Sequence, residues 1–208
     1  MYIMCLSKGL EAVNIPIEDG VLPNKTLGFV PNAGDTYENP YFVEESRQRL
    51  KELGIKLVEL DLAKDSKEET LKKLEQVDGL YVAGGNTFHL LYLLNKNGLL
   101  EHIRKKVKGG MPYFGESAGA VLLTKSIEPA RTIDDPEDAP ELKSFDGLGL
   151  LEFFPLPHVG KEKYKAVFDK FIADNKDTVN IVQYTDEQAI ITHDGTEYKI
   201  VPSAIVTL

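Results

Sequence analysis

Hydrophobic and polar positions follow two repeating patterns along the chain, one typical of buried strands and one of amphipathic helices. Short apolar runs bounded by turn residues predict strands at residues 2–6, 26–31, 56–60, 79–83, 112–114, 151–157, 179–184, 188–192 and 198–201. Apolar residues three and four positions apart predict helices at residues 41–53, 67–74, 88–95, 99–107, 118–123 and 164–172. The chain therefore alternates strand and helix over most of its length.

This alternation favours one fold class. A helix between two strands usually returns the chain to a neighbouring parallel strand through a right-handed crossover. We therefore predict an α/β fold with three layers, α/β/α, around a mostly parallel, doubly wound sheet. Residues 193–196 (His-Asp-Gly-Thr) predict a hairpin between the last two strands. Residues 128–147, rich in Pro, Asp and Glu, predict a surface loop near the carboxyl edge of the sheet.

Composition narrows the class of partner. With 208 residues, 42% hydrophobic and 27% charged, the chain can bury one substantial core, and we expect a single domain over residues 1–208. The formal net charge of −9 argues against nucleic acid and anionic membranes, since both bind a basic face. An anionic substrate would also need a local cation.

Cysteine usage and the first residues indicate the compartment. The lone Cys5 has no intrachain partner, and residues 1–6 lack the basic and apolar regions of a signal peptide. We therefore expect a cytoplasmic protein, as a monomer or a homodimer. Neither a Cys/His metal spacing nor a complete nucleotide-binding glycine pattern occurs in the sequence, so we expect no metal and no cofactor.

The most informative stretch is Gly-Glu-Ser-Ala-Gly at residues 115–119, between a predicted strand and a predicted helix. Such a turn can hold a serine in a strained conformation with its hydroxyl above the sheet edge, as a nucleophile requires. The N–H of Ala118 would then point to where an oxyanion forms. Alternatively, Ser117 simply caps the helix. These five residues alone do not decide between the two.

A serine nucleophile needs a general base, and the chain has four histidines. His158 follows an apolar strand and precedes a glycine, which predicts a position at the carboxyl edge of the sheet. The other three have simpler explanations: His89 packs on an apolar helix, His102 lies on a solvated helix face, and His193 lies in a hairpin turn. An orienting carboxylate could come from any of four loop residues: Asp134, Asp135, Asp186 or Glu187.

Two further features could serve the reaction. Gly84 and Gly85 end a strand expected beside the serine strand, so an N–H there could join that of Ala118 as an oxyanion donor; a tight turn is the alternative. Arg131 lies in an acidic loop whose only other cation is Lys143. It could form a fork for a substrate carboxylate or a surface ion pair.

Taken together, the chain resembles the serine peptidase family of peptidase E (aspartyl dipeptidase), which also includes cyanophycinase. The resemblance spans most of the chain, in the same order. It rests on Val-Ala-Gly-Gly-Asn-Thr-Phe at 82–88, Gly-Glu-Ser-Ala-Gly-Ala at 115–120, Pro157-His158, Asp186-Glu187 before a strand and, more weakly, Phe29-Val30-Pro31. The order serine, histidine, acid also differs from α/β-hydrolase esterases, whose acid precedes the histidine.

The resemblance implies a flavodoxin-like fold similar to class I glutamine amidotransferases, with serine in place of their cysteine. It implies Ser117 as nucleophile, His158 as general base and Glu187 as orienting acid, with Asp135 as the second choice. The N–H groups of Gly85 and Ala118 are the expected oxyanion donors. Substrate binding is expected from Arg131, Asn86 and Asp135.

The expected activity is that of a serine exopeptidase, dipeptidase-like, acting on short peptides with an N-terminal aspartate. An isoaspartyl or cyanophycin-type peptidase, and a non-catalytic α/β binding domain, are the alternatives. Two departures from the family pattern bear on substrate choice. The segment after the serine helix is longer, and the loop after His158 is shorter.

Overall fold

The apolar runs of the sequence form strands, and most of these lie in one mixed sheet. The structure, a computed structural model, describes residues 1–8 and 10–203. Its strands are β1 (Ile3–Leu6), β2 (Thr26–Val30), β3 (Lys56–Glu59), β4 (Gly79–Val82), β5 (Tyr113–Glu116), β6 (Phe154–Leu156), β7 (Ile181–Gln183), β8 (Gln188–Thr192) and β9 (Tyr198–Pro202). The main sheet has seven strands in the order β3-β2-β4-β5-β1-β8-β9.

Helices cover both faces of this sheet, which confirms the predicted three-layer α/β fold. They are α1 (Asn14–Glu18), α2 (Tyr41–Glu52), α3 (Lys67–Leu74), α4 (Thr87–Lys96), α5 (Leu100–Lys108), α6 (Ala118–Val121) and α7 (Lys165–Asn175). On one face, Val43 and Leu50 of α2 pack with Tyr81 of the sheet. On the other, Leu90 of α4 packs in a cluster with Val82. Alternate residues of one strand thus serve opposite layers.

The strand order explains where a site can form. The order β3-β2-β4-β5 corresponds to the first four places of a flavodoxin-like sheet, and β1 occupies the fifth. Strands β1 to β5 are parallel, so their carboxyl ends share one edge. Strand β8 is antiparallel to β1, with Leu6 opposite Ala189. The segment entering β8 therefore reaches the same edge as the ends of β1, β4 and β5.

Two parts of the fold differ from the sequence prediction. Strands β6 and β7 form a separate two-stranded parallel sheet instead of extending the main one. Residues 10–18, for which no element was predicted, form a 3-10 turn and α1. The predicted hairpin is confirmed, because β8 and β9 pair antiparallel. The loop at 128–147 contains two 3-10 turns, Glu128–Thr132 and Pro136–Asp138.

The small sheet is joined to the main sheet at the edge that carries the site. The backbone N–H of Tyr184 donates to the Leu156 carbonyl, and the Tyr184 hydroxyl donates to the Leu6 carbonyl at 3.1 Å. The end of β6, which leads into His158, is thereby held near the end of β1. Across residues 1–8 and 10–203, the structure contains no helix of the length and apolarity needed to cross a bilayer.

Candidate active site

Ser117 occupies a sharp turn between β5 and α6. Its φ of 48° and ψ of −107° are rare for a residue with a side chain. The turn is tight because a Cβ on Gly115 would lie 2.5 Å from the Gly119 carbonyl oxygen, and one on Gly119 would lie 2.3 Å from that of Val82. The Ser117 side chain makes no capping hydrogen bond to α6. Its hydroxyl is therefore not used as a helix cap.

His158 lies directly against this serine. Its Nε2 is 3.1 Å from Ser117 Oγ. Like Ser117, His158 has a positive φ, here 61°. Its backbone N–H donates to Ser7 Oγ at 3.0 Å, which fixes the turn after β6. The structure thus brings together the two residues that the sequence indicated as nucleophile and base.

The carboxylate that contacts His158 belongs to Asp186, and the expectation of Glu187 is corrected on this point. Asp186 Oδ1 lies 2.6 Å from His158 Nδ1. Glu187, the next residue in the same turn, has an exposed side chain, and the turn directs only Asp186 toward His158. Asp135, the second choice, accepts from the backbone N–H of Glu137 in its own loop. The geometry is therefore that of a Ser117–His158–Asp186 triad.

Hydrogen bonds keep Asp186 ionised. Burial on its own would raise the pKa of this carboxyl, but hydrogen bonds from Ser7, Lys161 and His158 outweigh burial and lower the pKa to about 2. Lys161 Nζ lies 2.9 Å from Asp186 Oδ2, leaving Oδ1 to His158 and Ser7. An ionised acceptor at Nδ1 places the imidazole proton there, so that Nε2 can accept from Ser117.

Ser7 is a site residue that the sequence analysis missed. Its Oγ donates to Asp186 Oδ1 at 2.6 Å and accepts the backbone N–H of His158. It follows β1 directly, and its only sequence signal is a polar residue at the carboxyl end of a buried strand. Lys161, in the loop after His158, was also missed. Ser7 holds both the histidine backbone and its carboxylate partner.

The expected oxyanion donors flank Ser117. A Cβ on Gly84 would lie 3.3 Å from Ser117 Cβ, so the glycine turn after β4 touches the serine turn. Gly85 has a φ of 140°, and a Cβ there would lie 2.0 Å from the Ala33 carbonyl oxygen, so this position accepts only glycine. Ala118 is the first residue of α6, where an N–H has no acceptor within its own helix.

Asn86 and the acidic loop are bound to each other. Asn86 Oδ1 accepts the N–H groups of Phe88 and His89 and so caps α4, while Nδ2 donates to the Asp135 carbonyl and to Asp138. The carboxylate of Asp134 accepts from the N–H and hydroxyl of Thr87. The polar atoms of Asn86 are thus occupied by the protein itself, and they fix the loop against the start of α4.

Arg131 is held on the same loop. Its Nε lies 2.7 Å from Glu128, and its guanidinium lies 4.4 Å from the centre of the Phe145 ring. These contacts correspond to the surface ion pair considered above, although the side chain is partly exposed. Within residues 1–8 and 10–203, no group of three or more His, Cys, Asp or Glu side chains is arranged to hold a metal ion.

Comparison with known proteins identifies a family and its relatives. Residues 8–200 match Peptidase family S51. An uncharacterized peptidase of Listeria innocua serovar 6a is 35% identical over 173 residues, which are 83% of each chain. Peptidase E of Haemophilus influenzae is 37% identical over 134 residues, which cover 64% of this chain and 58% of that protein.

A solved structure also matches over almost the whole length of the chain. It is described as a peptidase E protein of Listeria monocytogenes EGD-e, and it superimposes with a TM-score of 0.87 at 31% identity over 97% of this chain and 98% of that one. The match in sequence and in fold covers the segments that carry Ser117, His158 and Asp186. The chain belongs to peptidase family S51 and is a serine peptidase of the peptidase E type.

Proposed function

We propose that this peptidase hydrolyses short peptides with the triad Ser117, His158 and Asp186. The observation that carries the proposal is the continuous chain of contacts from Ser117 Oγ through both nitrogens of His158 to Asp186 Oδ1. This arrangement can activate a serine, because His158 accepts its proton while Asp186 stabilises the resulting imidazolium.

The reaction follows from these contacts. Ser117 Oγ attacks the peptide carbonyl carbon as its proton passes to His158 Nε2. The N–H groups of Gly85 and Ala118 stabilise the oxyanion, each contributing roughly 3 kcal/mol in the transition state. His158 then protonates the leaving amine, which departs as the C–N bond breaks. Water, deprotonated by His158, attacks the acyl-enzyme and releases Ser117.

The preferred substrate in this proposal is a dipeptide or short peptide with an N-terminal aspartate. The resemblance to peptidase E suggests it, and cations lie in the segments around the site. Lys161 is three residues after His158, and Arg131 lies in the loop bound to the start of α4. To serve as the carboxylate fork, Arg131 would exchange its exposed pairing with Glu128 for the substrate.

Covalent labelling tests the chemistry. A fluorophosphonate probe is expected to label the wild-type protein at Ser117 and to leave Ser117→Ala unlabelled. Ser126→Ala, which alters a serine outside the triad, serves as the matched control and should label normally. A wild-type protein that does not react would indicate a binding domain, and a Ser117→Ala protein that cleaves peptides at the wild-type rate would contradict the nucleophile.

Three dipeptides test the specificity. We expect faster hydrolysis of Asp-Leu than of Ala-Leu or isoaspartyl-Leu, whereas a preference for isoaspartyl-Leu would indicate a cyanophycin-type activity. Arg131→Ala should raise KM for Asp-Leu more than for Ala-Leu, since only Asp-Leu carries a side-chain carboxylate on its N-terminal residue. Lys143→Ala changes the other cation of this loop and provides the comparison.

A further inference from the structure

Glu116, the residue before the nucleophile, has a buried carboxyl that the triad does not use. Its exposed fraction is 6%. Its Oε2 lies 2.6 Å from the Tyr81 hydroxyl of β4 and 2.8 Å from the Ser46 hydroxyl of α2. It points into the layer of α2, away from the cluster that contains α6. Burying an ionised carboxyl costs free energy unless hydrogen bonds replace its contacts with water.

The same carboxyl reaches the glycine turn. A Cβ on Gly84 would lie 3.9 Å from Glu116 Cδ, and the backbone N–H of Gly84 is close enough to the carboxyl to favour its ionised form. Since Gly84 also touches Ser117, one side chain connects the end of β4, the end of β5 and α2. The glycine turn supplies the Gly85 N–H, so its orientation beside Ser117 depends on what holds Gly84.

We propose that Glu116 is a positioning residue that fixes the Gly84–Gly85 turn beside Ser117, and that its ionised form holds the turn better than its protonated form. It acts through the backbone and does not touch the substrate. This inference rests on the proposed triad chemistry.

The hydrogen-bond geometry allows two states. Ser46 Oγ lies 2.8 Å from Glu116 Oε2 and 2.9 Å from the Phe42 carbonyl oxygen, but a hydroxyl has only one hydrogen. With Glu116 ionised, Ser46 can donate to the carboxylate. With Glu116 protonated, the acid can donate to Ser46, whose hydrogen then turns to Phe42. The carboxylate accepts from Tyr81 and Ser46, and a charged carboxylate attracts the neighbouring Gly84 N–H more strongly than a neutral acid does.

The surroundings place the change between these states near neutral pH. Burial raises the pKa of Glu116 to about 7, against the opposing effects of the Tyr81 and Ser46 hydrogen bonds, the nearby Gly84 N–H and the charge of Lys8. Lys8 also pairs with Glu45 at 3.3 Å, and the ionisable hydroxyls of Tyr81 and Tyr184 interact with Glu116 as well. A carboxyl that changes charge in this range behind the nucleophile makes the oxyanion donor pH-dependent.

The test measures the second-order rate of fluorophosphonate labelling at Ser117 from about pH 5 to about pH 8. In the wild type, ionisation of Glu116 should add a rise of about tenfold around pH 7, which makes the profile steeper there. In Glu116→Gln this added rise should be absent, so the profile has a shallower slope and an alkaline rate about tenfold lower. With peptide substrates the same variant should lower kcat and leave KM unchanged.

Two further variants keep the inference testable if Glu116→Gln folds poorly. Tyr81→Phe and Ser46→Ala each remove a donor that favours the carboxylate, so the Glu116-dependent part of the profile should move to higher pH. An unchanged profile in both variants, or a Glu116→Gln protein with the wild-type rate and slope, would overturn the role of Glu116. Absence of labelling in the wild type would instead overturn the proposed function.

Discussion

Asp186 and Glu187 are neighbours in sequence, but only Asp186 contacts His158. Asp186→Asn should lower kcat by about 10⁴, because an amide at this place favours the wrong imidazole tautomer. Glu187→Gln, whose side chain is exposed, should change kcat less than about twofold. Hydrolysis of Asp-Leu by the two purified variants makes the comparison. Loss of activity in Glu187→Gln alone would restore the assignment drawn from the sequence.

Glu116 also has a measurable effect on stability. Its folded-state pKa is raised from 4.5 to about 7, so its protonated form is favoured by folding. The protonated acid therefore contributes about 3 kcal/mol to the free energy of unfolding below about pH 4.5, and this contribution is lost as pH rises through about 7. Urea unfolding at several pH values should therefore show the wild type losing stability relative to Glu116→Gln between about pH 5 and about pH 8. A constant difference between the two proteins would contradict the raised pKa.

Residue chemistry was predictable where a sequence motif dictates backbone geometry. Ser117 lies between glycines that the tight turn requires, and His158 follows a strand that ends at the site edge. The choice between Asp186 and Glu187 depends on which way the chain turns before β8, which no periodicity encodes. Ser7 carries no motif at all, since its role arises from contacts with residues 158 and 186.

Among the structural elements, α6 packs unusually close to β4. A methyl group on Gly119 would meet the Val82 carbonyl oxygen at 2.3 Å, so Gly119→Ala must push the helix away from the strand. We expect a loss of about 2–3 kcal/mol in unfolding free energy and slower labelling of Ser117, because α6 carries the serine turn. Denaturant unfolding and probe labelling measure the two effects.

Gly109→Ala is the matched control for that change. Gly109 has an ordinary helical backbone at the end of α5, and an added Cβ would contact the Lys105 carbonyl oxygen at 3.1 Å. Its unfolding free energy should therefore change by less than about 1 kcal/mol. Equal losses in the two variants would mean that close packing of α6 on β4 is unimportant.

The hydrophobic pattern predicted which segments form helices and strands better than it predicted which strands pair with each other. The helix predicted at residues 67–74 is present as α3, and a capping box between Ser66 and Glu69 starts it. The pairing of β6 with β7 in a separate sheet was not predictable, because both are short apolar runs that would suit the main sheet equally well. Residues 10–18 were missed because their turn and helix are too short to show a helical period.

At the scale of the whole molecule, the small sheet and α7 share a core with the main sheet. Phe154 of β6 and Phe171 of α7 belong to the same buried cluster as Val82 and Tyr113. We therefore expect one cooperative unfolding transition, as for a single domain. Far-UV circular dichroism and fluorophosphonate labelling should report the same urea midpoint. A lower midpoint by labelling would mean that the part carrying His158 unfolds independently.

The position of β1 has a consequence for how the enzyme is made. This strand is synthesised before its partners, which are β5 at residues 113–116 and β8 at residues 188–192. Pairings so distant in sequence form late. Asp186 reaches His158 only when β8 has been synthesised and has docked beside β1. With the proposed triad, a chain that stops before β8 carries Ser117 but cannot assemble the three residues, so we expect it to show no peptidase activity.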